Sequence, residues 1–499
     1  MGGLAAAVDL ARQGVQVTVL EAHAKPGGKI HQRQAGSKWI DSGPTVITMS
    51  WVFEDLLAAA GLRLSDVVTL SPLPILARHA WSAAEWLDLY ADPKASEQAI
   101  AEFSGGAAAA QFQRFMAETR ALYFQMEQAY MRSSRPSLMS MARRSAHGAW
   151  PCWRPLGPCR ASGQAWADTS KTHGCVNSLR GMPPTAAAHR GRHRLRSASL
   201  HSWRPAAYGA PKAACRHSAR AWPRPPGPGA EIRTGQPVAR ILVEGGRAMG
   251  VETAQGEVLR ADAVVFNGDA AALRDGLLGE AVKASVQPPA LLPRSLSAMT
   301  WAVDAKLHGR PLDHHNVFFQ PDYEREFTDV FDHQRLPATP TIYICAQDRG
   351  AHMPDHGQAE RLLMLINAPA IGDRPSAFPE QTIDQTFARL QRQLAACGVE
   401  LETQPETTTC TTPSHFHQQF PATGGPCMAE HPRMDVCLSE ALGADTDTGA
   451  LLGGGQRPPG AGVPMAALSG RLAAATLMAH LDSTRRSARV VISGGMSMA

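Results

Sequence analysis

The residues best suited to chemistry lie within the first thirty. Glu21 closes an alternating apolar run, Val15 to Leu20, and stands 18 positions after Gly3; the doublet Gly27-Gly28 follows. A carboxylate at that spacing accepts hydrogen bonds from adenosine ribose hydroxyls in dinucleotide-binding βαβ units. Gly3 takes the place of the third glycine of G-x-G-x-x-G, where a bare Cα lets helix and strand pack closely. The elements that must hold these groups are a small-residue helix, Gly2 to Leu10, a turn at Gly14 and the strand ending at Glu21. The preceding strand and the first two glycines are missing from this stretch, so the N-terminal strand is expected to be truncated.

A chain of 499 residues with 44% hydrophobic content has room for two or three packed cores. It contains no run of about 18 uncharged apolar residues, so no transmembrane helix is expected. No basic stretch precedes an apolar one at the N-terminus, which excludes a signal peptide as read. Nine cysteines without a C-x-x-C pair read as reduced thiols. Nineteen histidines show no ligand spacing, so no metal is expected, and the adjacent pair His314-His315 reads as a surface loop.

The net charge of +5 is unevenly spread. Ala142 to Ala230 holds thirteen Arg, two Lys and one acid, Asp168, which places +14 there and about −9 on the rest. This stretch has no Ile, Phe or Glu, yet five of the ten Trp and four of the nine Cys. Neither a 3.6 nor a 2.0 hydrophobic period runs through it. It can be read as a basic nucleic-acid-binding arm, as a Pro-rich linker, or as a GC-rich gene translated out of frame. Near-absence of Lys and the abundance of Trp and Cys fit the last reading best. A clean resequencing with no compensating frame changes near both ends would reject it.

Elsewhere the pattern is ordered. Ser50 is placed to cap a helix from Trp51 to Ala60, with Gly61 as its stop. Trp86 to Tyr90 alternates as a strand, and Gln111 to Met131 reads as a helix. Pro237 to Glu244, Ala248 to Thr253 and Ala261 to Phe266 read as strands, the last ending at Asn267-Gly268-Asp269. Ser295 to Asp304, Asn316 to Gln320, Thr341 to Ala346 and Arg361 to Asn367 suggest a sheet in a second domain, and Thr382 to Cys397 an amphipathic helix stopped by Gly398. The segment from Pro459 to Gly470 is a Gly-rich turn opening a helix of small residues. Its amides and positive dipole end suit an anion or an electron-rich ring edge; a tightly packed C-terminal helix is the alternative.

Taken together, these residues resemble the carotenoid desaturase family of FAD-dependent oxidoreductases. The matching pieces are Met1-Gly2-Gly3-Leu4, Glu21 with Pro26-Gly27-Gly28-Lys29, Asp41 to Met49, Gly250 to Asp269, and Pro459 to Gly470. Within the family, Gly43-Pro44-Thr45-Val46-Ile47-Thr48-Met49 and Pro459 to Gly470 look most like the hydroxy- and methoxyneurosporene dehydrogenases. Pro458 stands where the family usually has a His before its Pro-Gly-x-Gly turn.

The resemblance implies an α/β fold: a Rossmann-like, two-dinucleotide-binding FAD domain with an α+β substrate domain built on a mixed or antiparallel sheet. Expected divisions are 1–141, 231–275 and 459–482 for the FAD domain and 276–425 for the substrate domain. Anomalous segments are expected at 142–230 and 426–458, and a flexible tail at 483–499. FAD contacts are implied for Gly2, Gly3, Glu21, Gly28, Lys29, Gly43, Val238 (near the adenine), Asp269, Gly460, Gly462, Val463 and Met465. No catalytic base is assigned; Asp269 and Glu252 carry structural and chemical readings equally.

The implied reaction removes two hydrogens from an acyclic carotenoid, most closely 3,4-desaturation of a 1-hydroxy or 1-methoxy substrate of the neurosporene type. Phytoene desaturation, an FAD amine-oxidase-like activity and a basic nucleic-acid-associated non-enzyme are the alternatives. The desaturase reading brings a lipophilic substrate, a quinone or oxygen as electron acceptor, and no nucleic acid. It also brings monotopic contact with the cytoplasmic side of the inner membrane. Trp51, Trp81 and Trp86 are candidates for a membrane-facing rim or, alternatively, buried core.

Overall fold

The structure, a computed structural model, describes residues 1–127, 131–132, 213–215, 229–285, 294–350, 357–422, 424–426, 450–452, 462–484 and 489–494. Small residues shape its first layer. Helix α1 (Gly2–Arg12) buries Ala5, Ala6 and Ala7 completely, and side chains this short let it lie close to the sheet beneath. Strand β1 (Gln16–Glu21) follows, with Val17, Val19 and Leu20 inward.

Beside β1 lie β8 (Ala230–Thr234) on one flank and β20 (Arg489–Gly494) on the other; β12 (Ala263–Phe266) and β19 (Ala450–Leu452) complete the order β19-β12-β20-β1-β8. All four pairings are parallel, as expected of a doubly wound sheet. The position beside β1 expected to be missing is therefore filled, and residues 489–494 are strand rather than flexible tail. Val490-Val491-Ile492 is a β-branched run with strong strand preference, and Ile492 is fully buried against Val17, Val19 and Val265.

Crossing α1 is the C-terminal helix Val463–Thr484. Ala473, Ala474, Leu477 and Leu481 of this helix share one core with Ala6, Ala7 and Leu10. An antiparallel excursion, β9 (Val238–Glu244), β10 (Arg247–Thr253) and β11 (Val258–Arg260), caps the same sheet. Its core joins Val238, Ile241 and Val251 to Leu20 and Phe266.

The second layer is an eight-stranded sheet. Its spine is β13 (Ser297–Gly309), paired antiparallel with β16 (Glu360–Ala368), β17 (Val399–Glu402) and β18 (Thr408–Thr411). Beyond β16 come β15 (Ile342–Ala346) and β14 (His315–Phe318), then β5 (Ile75–Ala80) and β6 (Trp86–Tyr90). The β14–β5 pairing is parallel, so the sheet is mixed. Strands β5 and β6 thus belong to the substrate sheet, a correction to the expectation that residues 1–141 lie wholly in the FAD domain. Helix Glu380–Ala396 covers the sheet with Leu390 and Leu394, and Gly398 stops it with φ near +82°.

Two further pairs are small: the hairpin β2 (Gln32–Ala35) with β3 (Lys38–Asp41), and β4 (Leu70–Pro72) with β7 (Ala213–Cys215). Apart from Ala213–Cys215 and residues 229–230, the basic segment 142–230 lies outside the described residues. So does 426–458, except Pro426 and 450–452.

Three local expectations change. Helix α2 (Ser50–Ala59) starts at Ser50, and its N-cap is Met49 in the left-handed region at φ 54°, so Ser50 makes no cap bond. The helix read from Gln111 runs from Gly106 to Met126, because Ala107 to Ala110 extend it by high helix propensity. His314 and His315 are buried at 5% and 6% exposure, the second opening β14. Their hydrogen bonds to protein groups satisfy the imidazoles that a surface loop would leave to water.

Candidate functional site

The parallel strands end level with one another. Leu20 and Phe266 both register with Ser493, and Glu21 with Gly494. In open α/β sheets ligands bind in the crevice beyond such carboxyl ends. Gly2 and Gly3 form the first turn of α1, whose leading amides have no acceptor within the helix. A Cβ at Gly3 would meet Ile492 Cγ2 at 3.0 Å and Asn267 Nδ2 at 3.2 Å, so the close packing inferred from sequence is real. A Cβ at Gly470 would lie 2.0 Å from the Gly2 carbonyl oxygen, which holds the two helices in backbone contact.

Glu21 is 8% exposed, and its Oε1 accepts the His23 amide at 3.0 Å. Burial pushes its carboxyl up to about 7, against the opposing hydrogen bond. Burial also lowers His23, and lowers His31 to about 4, with Arg33 adding to both, so these imidazoles are neutral near pH 7. A ligand hydroxyl donating to Glu21 favours the ionised form. FAD affinity should therefore be full above about pH 7 and fall as pH drops through it. Titrating FAD at pH 6 and pH 8 checks this: Glu21→Gln should bind more weakly with a flat profile, and a flat wild-type profile would reject the role.

Gly28 has φ 61°, a conformation costly for other residues. This loop abuts the Gly43 strand end, where a Cβ at Gly43 would lie 2.3 Å from the Lys29 carbonyl oxygen. Lys29 Nζ donates to the Pro426 carbonyl at 3.1 Å and lies 5.5 Å from the Phe420 ring centre. Gly462, at φ 110°, directly precedes the C-terminal helix. Val463 and Met465 pack with Met1, Ala5, Val8 and Met49, bringing the two ends of the expected cradle together. Gly460 lies outside the described residues.

Val238 is separate, turned into the core beside Leu20, although Gln236 two residues earlier donates its amide to the Glu21 carbonyl. Asp269 caps the helix Ala270–Arg274 through the Ala271 amide at 3.0 Å. Glu252, on β10, pairs with Arg240 of β9 at 2.5 Å.

A second polar set was not foreseen. Gln347 clamps Asp41, donating Nε2 to its carbonyl at 2.7 Å and accepting its amide at 3.0 Å. Tyr343 on β15 bonds Thr45 Oγ1 at 2.6 Å and His315 Nδ1 at 2.8 Å. His314 Nδ1 donates to the Arg349 carbonyl at 2.6 Å, and its Nε2 faces Cys345 Sγ at 3.6 Å. Burial pushes the Cys345 thiol up to about 12, so it is the S–H that donates. His314, His315 and Cys345 offer ligand atoms within 4.8 Å of one another, a juxtaposition that the spacing of the histidines along the sequence does not announce. Single buried polar residues in strands carry no periodic signal, which is why they were missed. Tyr343→Phe should cost about 1–2 kcal/mol by removing both bonds, seen as a lower midpoint in urea with FAD retained.

The three candidate rim tryptophans are half-buried. Trp81 stacks on Phe319 at 5.3 Å and Trp86 meets Phe318 edge-on at 5.8 Å. Trp51 donates to Tyr123 and lies under Arg132 at 3.8 Å. Core packing is their observed role.

Residues 1–145 and 192–478 match the family of flavin containing amine oxidoreductases. The chain belongs to this family. The interruption at 146–191 falls inside the basic segment. Over 509 residues the chain is 42% identical to a hydroxyneurosporene desaturase of Rubrivivax gelatinosus, covering 100% of this chain and 95% of that one. It is 38% identical to the Cereibacter sphaeroides hydroxyneurosporene desaturase, covering 97% of each. A phytoene desaturase of Myxococcus xanthus that forms zeta-carotene is 28% identical over 74% of this chain and 71% of its own length. A putrescine oxidase variant shares the fold with TM-score 0.57 at 13% identity, covering 96% of each chain.

The protein is an FAD-dependent oxidoreductase. Its residues fit that cofactor: Asn267 Oδ1, Arg33 Nε and His31 Nε2 are buried polar atoms without a protein partner. Asn267 borders Gly3, while His31 and Arg33 follow the Gly28 loop. Such groups answer a ligand rich in phosphate and carbonyl oxygens and ring nitrogens.

Proposed function

We propose that this protein desaturates an acyclic carotenoid, removing two hydrogens from adjacent saturated carbons, by 3,4-desaturation of a 1-hydroxy or 1-methoxy substrate of the neurosporene type. The supporting observation is 37–42% identity to three hydroxyneurosporene desaturases across 97–100% of the chain. When bound, flavin supplies a two-electron hydride acceptor. Glu21 would receive the ribose hydroxyls, the first-turn amides of α1 would hold the pyrophosphate, and Gly28, Lys29 and Gly43 would hold the segment between. A hydrocarbon substrate offers no charge to grip, so its binding rests on apolar burial at about 25 cal/mol per Å².

Among the described residues no helix is long and apolar enough to cross a membrane. The lipophilic substrate then calls for monotopic contact with the cytoplasmic face of the inner membrane, electrons leaving to a quinone or oxygen. Co-sedimentation with anionic liposomes tests the contact, and protein that stays wholly in the supernatant argues against it. The activity is tested by expressing the gene in a host that accumulates 1-hydroxyneurosporene. Extracts should absorb at longer wavelength as the polyene lengthens; an unchanged spectrum rejects the assignment, and conversion of phytoene instead points to the sister activity.

A further inference from the structure

The buried set of His314, His315 and Cys345 has no part in the reaction proposed above. We propose that it is a metal site for a thiophilic closed-shell cation, zinc or copper(I), held by the two imidazoles and the Cys345 thiolate.

The fold builds this set from two strands. His315 opens β14, Cys345 lies on β15, and the two are direct partners in an antiparallel register. Residues so opposed project to one face with Cβ atoms about 5 Å apart. Alternation along an extended strand would send His314 to the other face. Its ring instead stands 4.5 Å from that of His315 and nearly perpendicular to it. Two bonds hold it there: its carbonyl accepts the Ala346 amide at 2.9 Å, and its Nδ1 donates to the Arg349 carbonyl at 2.6 Å. A carbonyl can only accept, so the neutral ring carries its proton on Nδ1 and directs its Nε2 lone pair at Cys345. That is the tautomer of a metal-ligating histidine whose other nitrogen donates to the backbone.

The spacing suits a metal. His314 Nε2 and Cys345 Sγ are 3.6 Å apart. Zinc bonds of about 2.0 Å to nitrogen and about 2.3 Å to sulfur, at a tetrahedral angle, place their ligands about 3.6 Å apart. His315 brings the third ligand atom, all three lying within 4.8 Å of one another. Soft thiolate with imidazole selects zinc or copper(I) over the hard, oxygen-seeking cations. All three residues are buried, and Cys345 shares a core with Ala302, Val317 and Leu363. The Asp41 carboxylate acts on the Cys345 sulfur as a nearby negative charge, which a cation bound there would turn to advantage. On binding, the Cys345 S–H gives its proton to solvent and the sulfur electron pair bonds the metal, with no change of oxidation state. Copper(I) leaves the three-ligand site neutral; zinc leaves one positive charge facing Asp41.

The inference goes beyond the desaturase reading and is independent of it, because the measurement is metal content. The full chain with its flavin is purified from cells grown with added zinc, and separately with copper under reducing conditions. Cys345→Ser and Cys345→Ala are purified alongside. Metal per chain is read by plasma mass spectrometry, and folding by flavin absorbance and circular dichroism. The wild type should hold about one ion of the metal that fits. The folded variants should hold at least about tenfold less, the scale already reached by losing an outer-shell partner. Cobalt(II) exchanged into the wild type should add a near-ultraviolet sulfur-to-cobalt band, which needs no variant to read. A wild type free of metal from both media would overturn the proposal. So would folded variants that keep the ion, or a cobalt form without the sulfur band.

Discussion

Gly470→Ala should unfold the nucleotide site with a single methyl group. In a helix interior this exchange ordinarily stabilises by about 0.5–1 kcal/mol, because alanine has less freedom to lose. Here the new Cβ would stand 2.0 Å from the Gly2 carbonyl oxygen and 2.7 Å from its carbon. Both are backbone atoms, so no rotamer change relieves the clash and the helices must separate. Overpacking of this kind costs about 1–3 kcal/mol, which reverses the sign of the propensity effect. The displaced element is α1, whose first turn is proposed to hold the pyrophosphate, so FAD occupancy and thermal midpoint should fall together. Gly462→Ala, outside that helix crossing, should lower FAD affinity with a smaller change in midpoint. A Gly470→Ala protein as stable and as yellow as wild type would show that the helices have room to spare.

Arg349→Ala should be the most damaging change in the substrate sheet. Arg349 meets Glu360 through two bonds of 2.6 Å and donates a third to the Leu312 carbonyl at 2.7 Å, both side chains being under a tenth exposed. Removing the guanidinium leaves a buried carboxylate without its countercharge, at a cost of about 3–5 kcal/mol. The double change Arg349→Met with Glu360→Leu removes both charges and should recover most of that loss. Urea midpoints of the two variants check this. The Arg349 carbonyl also holds His314, so the single variant should raise the reactivity of Cys345 toward a thiol reagent.

The sequence was most informative where periodicity and turn chemistry agreed. The run from α1 through Gly14 to Glu21 and the helix ending at Gly398 both follow patterns repeated over several residues. So does Trp86 to Tyr90, although its pattern could not say which sheet it joins; that is settled by the distant β14. Strand β20 was illegible for the same reason, since six residues near a chain end name no partner. The site divides likewise. Glu21 and Gly3 stand out by spacing and type and Gly43 by the motif it shares with the resembled family, whereas Gln347 and Tyr343 act through pairs of bonds to residues distant in sequence. Asp269 drew attention because it follows a buried strand, and that place equally suits a helix cap.

The central place of β20 also ties the two halves of its sheet together. Among the described strands, β1 and β12 meet only through it. A sheet parted there would present two unpaired edges open to wrong pairing. Loss of order in residues 489–494 should therefore reach β8 on one side and β19 on the other at once.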